Sequence, residues 1–190
     1  MVWEWARRCV IATLAALLVA CATAEPTSSP QGEFFASVRA LCGQSFTGRV
    51  VSADPVDAGF ASSDLRVEGV ACTSDEVRLR FHVGEDHSRT WVLTRYREGL
   101  QLKHDHRHED GSPDIITNYG GLAVEGSGSR RRQAFPADAE SQALFLANDR
   151  AVSVDNVWGM EIHPGRMFAY ELRREGRFFR VEFDLTRPVG

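Results

Sequence analysis

The sequence predicts a mainly β protein whose antiparallel strands form an up-and-down, barrel-like sheet, with a short N-terminal helix and one further helix. Apolar and polar residues alternate with a period of two through much of the chain, most clearly at residues 77–83 and 179–185. Short Gly-containing links, such as residues 97–99 and 174–176, separate these segments, as is typical of hairpins. Short strands joined by tight turns favour a barrel, with a curled sheet or two-sheet sandwich as the alternative.

The elements follow from their patterns in chain order. Residues 32–43 are predicted as a helix because Phe34, Val38 and Leu41 share one face and Gly43 follows them. The predicted strands cover residues 46–52, 65–72, 77–83, 89–96, 100–108, 115–119, 152–163, 167–173 and 179–185. Residues 126–132 are predicted as a flexible loop, Gly120-Gly121 as a break, and residues 137–148 as the second helix. The hairpins after a short helix resemble the lipocalin and calycin architecture, although the lipocalin G-x-W signature is absent.

The N-terminal residues have the pattern of an export signal. Two arginines at positions 7 and 8 precede an uncharged, mostly apolar run that ends at Ala20, and this run is shorter than the roughly 20 residues of a membrane-spanning helix. Leu18-Val19-Ala20-Cys21 resembles a bacterial lipobox, while Ala22-Thr23-Ala24 is an alternative site for ordinary signal peptidase. We therefore expect a signal peptide at residues 1–20, a lipidated Cys21 with a flexible tether at 21–32, and one β-rich domain at 33–190.

Cysteine usage agrees with an oxidising compartment. Cys9 would leave with the signal and Cys21 would be acylated, so Cys42 and Cys72 remain to form one disulfide. The formal net charge of −4 provides no electrostatic reason to bind a phosphate backbone. The expected partners are a membrane, through the lipid anchor, and a small ligand or envelope protein, but not nucleic acid.

The most unusual segment is the histidine-rich end of the strand predicted at residues 100–108. In an extended chain, His104, His106 and His108 share a face with the apolar Leu100 and Leu102. Same-face neighbours lie about 6.5 to 7 Å apart, and neutral imidazoles are suitable ligands for zinc or copper. The three histidines are therefore candidate metal ligands, with His163 or Glu161 as alternatives for the third position. The favoured alternative is a polar rim where the barrel opens to water, and a third is a histidine that contacts an organic ligand or acts as a general acid or base.

Three segments resemble a family of uncharacterised exported bacterial proteins, some of them lipoproteins. They are R-T-W-V-L-T-R at 89–95, L-K-H-D-H-R-H-E-D-G at 102–111 and F-F-R-V-E-F-D-L at 178–185. The resemblance implies a protein of the cell envelope and no assigned activity, so it transfers no catalytic residues.

Two functions remain open from the sequence. The first is a non-catalytic lipoprotein of the bacterial envelope that binds a small ligand or a partner at the barrel end; a soluble periplasmic or secreted protein is the alternative location. The second is a zinc- or copper-binding protein, or a metal-dependent hydrolase, that uses the histidine strand. The sequence has no G-x-S-x-G nucleophile elbow. Trp91, Trp158 and Tyr170 are expected in the core.

Overall fold

The structure, a computed structural model, describes residues 29–189 and confirms the mainly β, barrel-like fold. The strands are β1 Ser45–Val50, β2 Leu65–Cys72, β3 Glu76–Val83, β4 Asp86–Tyr96, β5 Gly99–His106, β6 Tyr119–Val124, β7 Arg132–Pro136, β8 Val157–His163, β9 Met167–Arg174 and β10 Arg177–Asp184. The helices are α1 Pro30–Arg39, α2 Ala58–Ala61 and α3 Ala139–Ala147, and two 3₁₀ turns lie at Pro55–Asp57 and Ala151–Ser153. The predicted signal, Cys21 and most of the tether lie outside the described residues, and their predictions remain untested.

All ten strands belong to one antiparallel sheet with the order β6-β5-β4-β3-β2-β1-β10-β9-β8-β7. Strand β1 lies near the middle of this order and pairs with both β2 and β10. The sheet curls so far that its two edge strands, β6 and β7, approach one another. An isolated bridge between Gly121 and Ala137 joins the edges. A Cβ atom at Gly121 would overlap the carbonyl oxygen of Pro136, so this approach requires glycine.

The start of α3 provides hydrogen-bond partners for backbone groups of β6, at the seam where the two edge strands are incompletely paired. Asp138 caps the helix by accepting a hydrogen bond from the amide of Ser141 at 2.9 Å. The Ser141 hydroxyl accepts from the amide of Gly120 at 2.7 Å and lies 3.0 Å from the carbonyl oxygen of the same residue. The predicted helix is therefore confirmed at Ala139–Ala147, and it protects an exposed sheet edge.

One end of the barrel is covered by α1. Ser29 caps this helix, and Phe34, Phe35 and Val38 are fully or almost fully buried below it. The Gln31 side chain donates to the carbonyl oxygens of Ala123 and Val124, both at 3.0 Å. The helix begins at Pro30 rather than at the predicted residue 32, because Ser29 and Pro30 form a favourable start, so the last three residues of the predicted tether are helical.

The predicted disulfide between Cys42 and Cys72 is confirmed. It joins the chain just after α1 to the end of β2, with the two Cα atoms 6.3 Å apart. Beside it, the amide of Gly43 donates to the carbonyl oxygen of Gly69 at 2.8 Å. The helix that covers this end is thus attached to the sheet covalently and by backbone hydrogen bonds.

The outer face of the barrel carries an ion network centred on Glu171 of β9. Its side chain is 1% exposed and accepts hydrogen bonds from Arg132, Arg173 and Arg180. Burial alone would raise the pKa of Glu171, but the three guanidinium groups outweigh it and lower the pKa to about 2. Glu171 is therefore ionised at neutral pH and connects β7, β9 and β10 on the outer surface.

Several predicted boundaries are wrong. Residues 132–136, partly assigned to a loop, form the strand β7, and Gly120-Gly121 lies inside β6 instead of breaking it. The strand predicted at 152–163 begins only at Val157, after a 3₁₀ turn. Strand β5 ends at His106, two residues earlier than predicted. Among residues 29–189, no helix has both the length and the apolar character needed to cross a membrane.

Candidate functional site

The end of the barrel opposite α1, which we call the open end, collects the histidine strand and most of the long connections. These long connections are residues 51–64 between β1 and β2, 107–118 between β5 and β6, and 137–156 between β7 and β8. At the α1 end, most links between strands are only two or three residues long. Long connections on a rigid barrel are the usual place for a binding site.

His104 lies inside the barrel just below the open end, and it is 2% exposed. Its Nδ1 is 3.0 Å from the carbonyl oxygen of Tyr119, and its Nε2 is 2.7 Å from the hydroxyl of Tyr170. A carbonyl oxygen can only accept, so Nδ1 carries the proton, and Nε2 accepts from the tyrosine. The imidazole is also stacked on the Tyr119 ring at a centroid distance of 4.6 Å.

Burial keeps His104 neutral. Burial lowers the pKa of His104 to about 3, even though its hydrogen bond to Tyr119 acts in the opposite direction. Burial also raises the pKa of Tyr170 well above its usual value, so this hydroxyl stays protonated. Both ring nitrogens of His104 are engaged within the protein, and neither points a free lone pair into the cleft.

His106 is half-buried at the end of β5 and faces the same side as His104. Its Nε2 is 3.2 Å from the hydroxyl of Tyr119, and the two rings lie 5.5 Å apart. Burial, followed by the charge of Arg89, lowers the pKa of His106. Burial raises the pKa of Tyr119 to about 12, although nearby Arg89 and Arg150 act against this. The structure therefore brings His104 and His106 together around one tyrosine.

His108 does not join them. It lies beyond the end of β5, is exposed, and lines a surface pocket beside the β3–β4 turn with Asp86 and His87. Glu161 and His163, the alternative third ligands, lie 2.8 Å apart on the outer face of β8, because strand alternation directs Trp158, Met160 and Ile162 inward. Within residues 29–189, no three His, Cys, Asp or Glu side chains are placed to hold a metal ion. The three-histidine metal site remains a prediction.

Two adjoining pockets occupy the open end. The first, the aromatic pocket, has a volume of about 140 Å³. Its walls include Phe60, Phe81, Trp91, Tyr170 and Phe179, together with Arg89 and Arg177. Trp91 stacks on Tyr170 with ring centroids 4.2 Å apart and on Phe81 at 4.9 Å. This arrangement presents flat apolar surfaces with few polar atoms.

The second, the loop pocket, is larger, at about 550 Å³. It lies between the 107–118 connection, the segment after α3, and the ends of β8 and β9. The two pockets share four wall residues, namely His106, Tyr119, Tyr170 and Leu172. The loop pocket is within the usual range of about 300–1,000 Å³ for a small-molecule site, so the ligand-sized space lies at the mouth of the barrel.

Phe60 of α2 covers the aromatic pocket from the β1–β2 connection. Its ring is 5.3 Å from that of Phe179, and the Arg89 guanidinium lies 5.8 Å from its centroid. The connection is attached to the barrel by Arg177, which forms an ion pair with Asp57, a carboxylate that is 2% exposed. This segment is the lid-like part of the pocket wall.

Sequence reasoning located the histidine strand but missed most of the pocket. The aromatic residues expected in the core are buried there, yet Trp91, Trp158 and Tyr170 also line the two pockets. No sequence pattern marks Phe60 or Arg177 as pocket residues, because both reach the pocket only when the β1–β2 connection packs over the barrel end. Strand alternation places both Tyr170 and His104 inside the barrel, and this shared orientation could have suggested their hydrogen bond.

The fold and its pockets define an antiparallel ten-stranded barrel with a cleft at one end. No family model matches the chain, no curated protein sequence matches it, and no solved structure matches it.

Proposed function

We propose that this protein is a non-catalytic lipoprotein of the bacterial envelope that binds a small, largely apolar ligand at the open end of its barrel. The observation that supports it most is the continuous cleft formed by the aromatic pocket and the loop pocket. Apolar and aromatic walls with a few placed polar groups are characteristic of small-molecule sites.

The distribution of side chains favours a ligand at the mouth rather than deep inside the barrel. Toward α1, the interior is filled by fully buried groups such as Phe34, Leu102, Phe168 and Phe183. Near the open end, Leu172 is only partly buried and contacts both pockets. Ile115, 75% exposed, lies on the wall of the loop pocket. A ligand there would cover apolar surface that now faces water.

Binding without catalysis is favoured by the state of the histidines. His104 is the most deeply buried titratable group of the cleft, but both its nitrogens are engaged by Tyr119 and Tyr170. It orients the Tyr170 hydroxyl and would have to lose a hydrogen bond to accept a proton from a ligand. Its role in this proposal is to hold the aromatic wall in place.

The ligand site is tested with N-phenyl-1-naphthylamine, a neutral aromatic probe, added to the full chain carrying Cys21→Ser, so that no detergent is needed. We expect one probe per protein, with energy transfer from Trp91 and Trp158, the two tryptophans on the pocket walls. Leu172→Trp should weaken binding by about tenfold or more because it fills space shared by both pockets.

A matched control is Phe178→Ala, which removes a 40% exposed aromatic ring from the outer face beside Arg173. It should leave probe binding unchanged. Ile115→Asp, at the exposed rim, provides a second variant that does not disturb the packed interior and should also weaken binding. If the probe does not bind the wild type, or if Leu172→Trp and Ile115→Asp both bind it as tightly as the wild type does, the ligand-binding proposal is wrong.

The envelope anchor is tested by fractionating cells that express the full chain. We expect the protein in the membrane fraction, with an N-terminal peptide beginning at Cys21 and carrying the extra mass of a lipid. Cys21→Ser should release it from the membranes. An unmodified N-terminus after Ala24 in the soluble fraction would contradict lipidation and support cleavage at Ala22-Thr23-Ala24.

A further inference from the structure

The charge on the walls of the cleft is opposite in sign to that of the whole chain. The chain has 26 Asp and Glu residues against 22 Lys and Arg residues. The two pockets together are lined by four arginines, Arg89, Arg150, Arg174 and Arg177, and by one carboxylate, Asp114. A cleft lined by cations concentrates anions near it, even on an acidic protein.

Two of these arginines are neutralised by neighbours in the aromatic pocket. Arg177 forms ion pairs with Asp57 and Asp54, and Arg89 forms one with Asp86. Their guanidinium groups also lie near aromatic rings, at 5.8 Å from Phe179 and Phe60 respectively. These two arginines hold the wall together and have little charge left for a ligand.

The other two arginines retain their charge at the loop pocket. Arg174 donates to the neutral amide oxygen of Asn156 at 3.1 Å, and Arg150 forms no side-chain ion pair within residues 29–189. The carboxylate of Asp114 accepts from the backbone amide of Ile116 at 2.7 Å, so it is used to hold its own turn. The charge of Arg150 acts to lower the pKa of Tyr119, against the larger effect of burial, so Arg150 lies close to a residue shared by both pockets.

We propose that the ligand of this cleft is an amphipathic anion, whose apolar body contacts Tyr119, Tyr170 and Leu172 and whose single acidic group binds Arg150 and Arg174. This inference rests on the proposed ligand-binding function and names its ligand class. Guanidinium groups bind carboxylates and sulfonates through paired hydrogen bonds, and the exposed Ile115 at the rim provides apolar contact next to the charge.

The test compares two probes that have the same aromatic frame. N-phenyl-1-naphthylamine is neutral, and 8-anilinonaphthalene-1-sulfonate adds one sulfonate to it. At low ionic strength, the sulfonate should bind about tenfold more tightly, and added salt should remove most of the difference. Arg150→Gln with Arg174→Gln should weaken sulfonate binding by about tenfold and leave the neutral probe within about twofold.

The matched control is Arg130→Gln with Arg131→Gln, which removes the same charge from exposed positions at the α1 end. It should leave the binding of both probes unchanged. The inference is overturned if the two probes bind equally, if the cleft variant affects both alike, or if the control weakens sulfonate binding as much. The failure of both probes would instead overturn the proposed ligand-binding function itself.

Discussion

Lowering the pH from 6.5 to 4 is expected to reduce the free energy of unfolding by on the order of 3 kcal/mol through His104 alone. Burial lowers the pKa of this imidazole to about 3, whereas in the unfolded chain its pKa is near 6.5. Between these values, the unfolded state binds a proton that the folded state does not. The contribution of His104 to the free energy of unfolding is therefore fully present above pH 6.5 and is lost as the pH falls toward 3.

Urea unfolding at a series of pH values measures this effect. His104→Gln should be less stable than the wild type at pH 7, because it loses the stacking on Tyr119, but its stability should fall less steeply below pH 6.5. His82 and His106 contribute in the same direction, since burial lowers the pKa of both. Glu171 adds to the loss only below about pH 4.5, where carboxylates of the unfolded chain begin to protonate.

Two outcomes would contradict this account of His104. One is an unfolding free energy that stays constant between pH 7 and 5. The other is an equal pH dependence in the wild type and in His104→Gln. His108→Gln is the control, because this exposed side chain lies outside the barrel and its replacement should leave the pH dependence as in the wild type.

Removing the disulfide is expected to lower the free energy of unfolding by about 3 to 4 kcal/mol on the chain-entropy model. Cys42 and Cys72 are 30 residues apart in sequence, and their bond restricts a long loop in the unfolded chain. It also attaches α1, which covers one barrel end, to β2. The double variant Cys42→Ala with Cys72→Ala should show the loss in urea unfolding.

Reductant provides the internal control for the disulfide. Dithiothreitol should destabilise the wild type by a similar amount and have no effect on the double variant. Amide hydrogen exchange should increase most in α1 and at the end of β2, because these segments lose their covalent link. An unfolding midpoint that does not respond to reductant in the wild type would show that the bond contributes little to stability.

Periodicity predicted those strands whose two faces meet different environments. Strand β2 spans Leu65–Cys72, as expected, because its inward residues Leu65 and Val67 are buried while its outward neighbours are half-exposed. Period-two patterns arise wherever one face packs into a core and the other meets water. The barrel supplies this difference at nearly every strand, which is why the fold class could be predicted.

The strands at the seam could not be predicted in the same way. Gly120 and Gly121 resemble a break in the sequence, yet they lie inside β6, where a Cβ atom would overlap the carbonyl oxygens of Leu102 and Pro136. Strand β7 has five residues and follows a Gly- and Arg-rich stretch, so its pattern is too short to recognise. Gly120 fits closely against the neighbouring strand β5, and Gly121 against the other edge of the nearly closed barrel. Neither close approach leaves a periodic signal in the sequence.

By itself, the sequence determined that the chain is mainly β, that Cys42 and Cys72 form its disulfide, and that His104 and His106 face the apolar side of their strand. Only the tertiary structure decided that His108 lies outside the barrel, that Tyr119 and Tyr170 occupy both nitrogens of His104, and that arginines from three strands and the β7–β8 connection line one cleft. The physical reason is distance along the chain. Alternation along a strand relates residues that are neighbours in sequence, whereas a cleft is formed by residues that are far apart in sequence and meet only when the sheet curls into a barrel.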